Sequence, residues 1–167
     1  NDASLTSVAF VGPTFTVNGL TTTTTYYLTV KGVNKCENTA ADAKAVVVTV
    51  NPLATTTDVI VNGNTNACSG VGTTLTASSP TVTNPVFTWY SDAALTNINF
   101  IGNVFTTPVL NGTTTYYVTV RGDNKCENAA NTGKPVTITI TPVAGAGDVT
   151  ANDATICQGT SAALVAN

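Results

Sequence analysis

The residues of this chain with the widest chemical repertoire are four cysteines, Cys36, Cys68, Cys126 and Cys157. A thiol can serve as nucleophile, metal ligand or half of a disulfide, and its spacing and company decide which. No Cys-x-x-Cys pair occurs and the sequence contains no His, so a zinc site lacks its usual donors. The usual nucleophile and general-base pairs cannot be assembled either, and no Gly-x-Ser-x-Gly or phosphate loop is present. The expectation is a protein that is not an enzyme and carries no cofactor. Disulfides are the remaining chemistry, and they imply an oxidising compartment outside the cytoplasm.

Four further groups invite a functional reading beside a plainer one. Arg121-Gly122-Asp123 spells a cell-attachment tripeptide, but Lys31-Gly32-Val33 occupies the corresponding turn, where Gly serves the reversal in both cases. Tyr26-Tyr27 and Tyr116-Tyr117 offer aromatic surface, and strand alternation sends Tyr26 and Tyr116 inward and leaves Tyr27 and Tyr117 as the candidate ligand face. Asp58, Asp92, Asp123, Glu127 and Asp148 are candidate Ca²⁺ ligands, yet no closely spaced acidic run supplies the six to eight oxygens such an ion takes, which favours solvated loop acids. Asn111-Gly112-Thr113 has the form of a glycosylation sequon, and its Asn-Gly is better explained as a turn.

These residues sit on a repeat. Thr113–Glu127 is an almost identical copy of Thr23–Glu37, so that Tyr26 maps on Tyr116, Cys36 on Cys126 and Lys44 on Lys134 at a period of 90. That period is one small β-domain rather than one solenoid turn. Thr is the commonest residue, Val is abundant, and Leu, Glu and Lys are scarce, a mix that predicts strands and essentially no helix. Nine acids stand against six scattered bases, which argues against a nucleic-acid partner. No apolar run is long enough to predict insertion in a membrane.

Residues 1–52 read as the C-terminal half of a repeat, with strands at Phe10–Val17, Thr24–Val30 and Val46–Val50 and a stop at Pro52. Residues 53–142 read as one complete repeat. Its strands fall at Val59–Val61, Cys68–Gly70, Thr73–Ala77, Val86–Tyr90, Asn103–Thr107, the Tyr116-Tyr117 segment and Val136–Thr141, with Leu75, Ala77, Phe87 and Trp89 inward. Residues 143–167 restart a third copy, in which Asp148-Val149 matches Asp58-Val59 and Cys157 matches Cys68 one residue early. Asn167 then aligns with Ser78 and Asn1 with Ser91. The expectation is a window on a longer tandem array, or a subunit whose open ends are completed by adjacent copies.

Cys68-Ser69-Gly70, Leu75-Thr76-Ala77, Phe87-Thr88-Trp89-Tyr90-Ser91-Asp92, the Thr-Thr-Thr-Tyr-Tyr-Val-Thr-Val run and the Cys in the loop after it resemble the immunoglobulin-like repeats of Bacteroidota surface proteins. Those repeats occur in large adhesins and gliding-motility-associated proteins exported by type IX secretion. The resemblance implies an all-β fold of tandem Greek-key sandwiches, about seven strands each, in an extracellular stalk or filament. Strand alternation and the single Trp place Phe87, Trp89, Tyr26 and Tyr116 in the core. With Cys126 in a hairpin loop instead of beneath the Trp, an intradomain Cys68–Cys126 bridge is expected to clamp one end of the sandwich, worth about 4 kcal/mol in the chain-entropy model. Cys36 and Cys157 then find partners in adjacent copies or in sequence outside this stretch.

The functional expectation is a structural or adhesive cell-surface fibre that associates with itself or continues into adjacent copies. The alternative is a carbohydrate-binding accessory module of a secreted enzyme, with a surface glycan as partner. A cluster of exposed aromatics would distinguish the second reading.

Overall fold

The structure is a computed structural model, and it describes residues 2–150 and 153–164. Asn1 and Asn167, on which the alignment of the two chain ends rests, lie outside the described residues. The described residues form strands joined by loops and three short 3-10 turns, as the Thr- and Val-rich composition dictates. Two strands, β1 (Thr24–Leu28) and β2 (Lys44–Val48), pair in the first part of the chain. Eight more lie between Ile60 and Thr141.

Those eight make two facing sheets. One holds β3 (Ile60–Gly63), β5 (Thr74–Ser78) and β8 (Val104–Thr106), in the order β3-β5-β8. The other holds β4 (Asn66–Cys68), β6 (Val86–Tyr90), β7 (Ile98–Ile101), β9 (Thr114–Arg121) and β10 (Lys134–Thr141), in the order β4-β10-β9-β6-β7. All neighbours are antiparallel except β4 and β10, which run parallel. This is an all-β, Ig-like sandwich.

Alternation explains the packing. Leu75 and Ala77 of β5 and Phe105 of β8 point at Phe87 and Trp89 of β6, Tyr116, Val118 and Val120 of β9, and Val136 and Ile138 of β10. Trp89 is fully buried against Phe105 at a centroid distance of 5.0 Å, and Phe105 meets Tyr116 edge-on at 5.1 Å. The indole N–H donates to the Gly102 carbonyl at 3.0 Å, so the one polar atom of this ring is satisfied. Every member of this core lies between Ala54 and Ile138. The repeat at 53–142 therefore closes its core with its own residues.

Residues 2–52 repeat the same geometry with one layer of partners missing. Tyr26 pairs with Val46 as Tyr116 pairs with Val136, and Phe10, Phe15 and Tyr26 stack as Phe100, Phe105 and Tyr116 do. Leu28 and Val30, however, are 60% and 72% exposed, whereas their counterparts Val118 and Val120 are fully buried. Tyr26, expected in the core, is only half-buried.

The predicted strand at Phe10–Val17 is absent, and its residues run as irregular chain. Its counterparts β7 and β8 hydrogen-bond to β6 and β5, whereas among the described residues no strand pairs with residues 10–17. A strand without a ladder has nowhere to place its backbone groups except water. For the same reason β1 stops at Leu28 while β9, flanked by β6, continues to Arg121, and β2 stops at Val48 while β10, flanked by β4, continues to Thr141.

Candidate functional site

The hairpin tip after β9 and the segment that enters the repeat meet at one end of the sandwich. Gly122 and Lys125 close the tip, and Cys126 bridges Leu53: Cys126 N–H donates to the Pro52 carbonyl at 3.0 Å, and Ala54 N–H donates to the Cys126 carbonyl at 2.9 Å. The Cys126 thiol donates to the Asn51 carbonyl, with Sγ 3.7 Å from the oxygen. Asn51 Nδ2 in turn donates to the Asp123 carbonyl at 2.9 Å. Cys126 thus marks the point where the chain passes from one repeat to the next.

Beneath this point sits a buried ion pair. The Thr55–Asp58 turn is closed by a capping box, which aims the Asp58 carboxylate into the repeat. Lys125 Nζ donates to both oxygens at 2.7 and 2.8 Å, the Thr81 hydroxyl donates at 2.6 Å, and the Thr55 N–H at 2.8 Å. The Asp58 side chain is 4% exposed and that of Lys125 is 22% exposed. The Lys125 ammonium foremost, then the Thr81 hydroxyl and the Thr55 N–H, hold the carboxyl well below the usual carboxylate range, against burial, which pushes it up.

Arg121-Gly122-Asp123 belongs to the same end. Gly122 lies so close to its neighbours that a Cβ there would stand 2.2 Å from the Thr83 carbonyl oxygen and 2.5 Å from Val82. The Asp123 N–H donates to the Thr83 carbonyl at 3.0 Å, and its carboxylate accepts from Asn84 Nδ2 at 2.6 Å. Gly and Asp are thus occupied in holding the tip against the 81–84 loop.

Cys68 lies at the other end. It ends β4 in register with Thr141, the last residue of β10, and Ser69 N–H donates to the Thr141 carbonyl at 2.9 Å. A shallow groove lined by Asn66, Cys68, Val71, Gly72 and Thr141 opens beside it. The eight residues of β9 run between the two cysteines, a separation of at least ~25 Å at roughly 3.3 Å per residue. A disulfide needs Cα atoms within about 7 Å. The expected Cys68–Cys126 bridge within the repeat is therefore excluded, and with it the clamp at one end. Cys36, Cys68, Cys126 and Cys157 are all free and exposed.

Trp89, Phe87 and Tyr116 are buried as predicted. Tyr27 and Tyr117 are not the open platform that simple alternation suggests, because both are half-buried. Tyr117 is flanked in register by Tyr90 on β6 and Pro135 on β10, and such neighbours cover the ring. Glu127, expected as a solvated loop acid, instead accepts from the hydroxyls of Tyr90 and Thr119, and sequence reasoning missed Asn128, whose side chain accepts from Val120 N–H at 3.0 Å. The repeat held the signal, since Glu37 and Asn38 accept from Thr29 and Val30 N–H in the same way. Among the described residues, no group of three His, Cys, Asp or Glu is placed to hold a metal ion, and no helix is long and apolar enough to cross a membrane.

No curated protein matches this sequence. The family model described as an Ig-like domain, CHU_C associated, matches residues 55–142, the same stretch that closes its own core. The two-sheet architecture, the buried Trp on β6 and this match agree, and the chain belongs to that Ig-like domain family.

Proposed function

We propose that this chain is a section of an extracellular stalk or filament of Ig-like beads, structural and adhesive rather than catalytic, in which residues 2–52 and 143–164 are parts of repeats completed by adjacent repeat sequence or by neighbouring copies. One observation carries the reading. The second junction is built like the first: Gly145 to Asp148 forms the same 3-10 turn as Thr55 to Asp58, closed by a backbone bond of 3.0 Å against 3.1 Å, and the Asp148 carboxylate accepts from Gly145 N–H at 2.7 Å as Asp58 accepts from Thr55 N–H at 2.8 Å. The entry to a third repeat is thus already shaped, and the open edges of β1 and β2 are of the kind that small β-domains cover.

Electron microscopy of the native material, beside its intact mass after reduction, tests this. Beaded filaments are expected. A mass far above 17.0 kDa would identify the beads as one long tandem chain, and a mass near that of this chain would identify subunits that complete one another. Isolated monomers would overturn the proposal.

A further inference from the structure

We infer that the cysteines of this repeat form a bridge across each junction, joining the Cys68 position of one repeat to the Cys126 position of the next. The inference rests on the tandem reading above and adds to it a covalent link that is not the chain itself.

The period supplies the geometry. Asn51-Pro52 and Thr141-Pro142 are equivalent positions, each the exit from a repeat. At the first exit the Cys126 thiol of the following repeat lies 3.7 Å from the Asn51 carbonyl oxygen. At the second exit the Thr141 carbonyl accepts from Ser69 N–H at 2.9 Å, and Cys68 is in register with Thr141. Superposing the two exits brings the Cys126-type thiol of the next repeat and Cys68 to one peptide carbonyl from two repeats.

Surroundings agree with this placement. Cys68 and Cys126 are exposed, and neither has a cysteine partner in its own repeat. The Cys68 end carries a shallow groove and the exposed apolar residues Val71, Val109 and Val143, which a following hairpin tip would cover. At the first exit, the neighbour of that tip is Leu53, the counterpart of Val143.

Oxidation joins the two sulfurs: each thiol gives up its proton and one electron, an S–S bond forms, and two electrons and two protons pass to an acceptor disulfide, which leaves as two thiols. In an array, Cys36 and Cys126 are then one type of partner, and Cys68 and Cys157 the other.

The test has two arms. Native material, alkylated and digested without reduction, should yield cystine peptides joining a Cys36 or Cys126 peptide to a Cys68 or Cys157 peptide, and none that join two of the same type. In the second arm, residues 1–142 are followed directly by a second copy of 53–142. Cysteine is kept only at position 68 of the first copy and 126 of the second, and the others are replaced by Ser. Oxidised glutathione should leave this chain lighter by two hydrogens, with no glutathione adduct and no intermolecular product, because the second thiol displaces glutathione from the mixed disulfide. A companion that keeps 68 and 126 within one copy should carry glutathione adducts or free thiols and no internal cystine.

Free thiols or glutathione adducts on both cysteines of the first chain, with both Trp89 residues buried by fluorescence, would overturn the bridge while leaving the tandem reading intact. A bridge in the companion would overturn it as well. Closure in the first chain alongside native material without filaments would uphold the junction geometry and count against the tandem reading.

Discussion

Asp58 shows what one residue does at a junction. Its carboxyl is held low in the folded protein, so its contribution to stability is present in full above the unfolded carboxyl value near 4, and it is lost as pH falls below that toward the lower folded value. Urea unfolding of the chain should therefore show a stability decline below about pH 4 that is smaller in Asp58→Asn, where Asp2 and Asp92 remain held low. Lys125→Met strands the buried carboxylate, and a loss of about 3 kcal/mol is expected at pH 7 by the same measurement. The two glycines of the equivalent turns should respond differently. Gly122→Ala forces a methyl group into the Thr83 carbonyl and should cost about 2 kcal/mol or more. Gly32→Ala meets nothing within 4 Å and should be near neutral. If the two variants cost the same, the close approach of the 81–84 loop to the tip is wrong.

At the scale of elements, the strands that were legible in the sequence are those with a clean inside and outside. Val86–Tyr90 is β6 to the residue, and Leu75 and Ala77 face inward as their alternation indicates. Strand β7 was not legible, because Ile98–Ile101 lies exposed at a sheet edge, and β4 falls at Asn66–Cys68 and not at Cys68–Gly70, because this segment is short and polar. The pairing of β4 was not legible either, and that is why the cysteine pairing was misread. Equal placement of Cys68 and Cys126 in every copy says that they have a common role, but only the parallel pairing of β4 with β10 says that Cys68 is at the far end. Trp89 was legible as core, and Trp89→Ala should cost about 3–5 kcal/mol in chemical denaturation. The β1–β2 pair has the same sequence pattern as β9–β10 without its second layer. Its amides should exchange with deuterium far faster than those of β9 in the isolated chain, and should slow on assembly.

For the whole molecule, the parallel β4–β10 pair decides how a bead meets tension. In the proposed array, a pull along its length enters near Leu53 and leaves at Thr141, at opposite ends of the sandwich. With the junction thiols reduced it draws β10 lengthwise past β4, so the bonds from Thr139 N–H to Thr65 and from Ser69 N–H to Thr141, 2.8 and 2.9 Å long, are loaded together in shear. An antiparallel hairpin pulled from its open end unzips one bond at a time at low force. A parallel terminal pair must give way as a group. Ser69→Pro removes one of those bonds and should lower the peak unfolding force in single-molecule stretching. The hydroxyl-lined outer face of β10, where Thr137 meets Thr115 at 2.9 Å, is untouched by that change. Each bead is thus a brittle link: stiff up to a threshold, then releasing its folded length in one step.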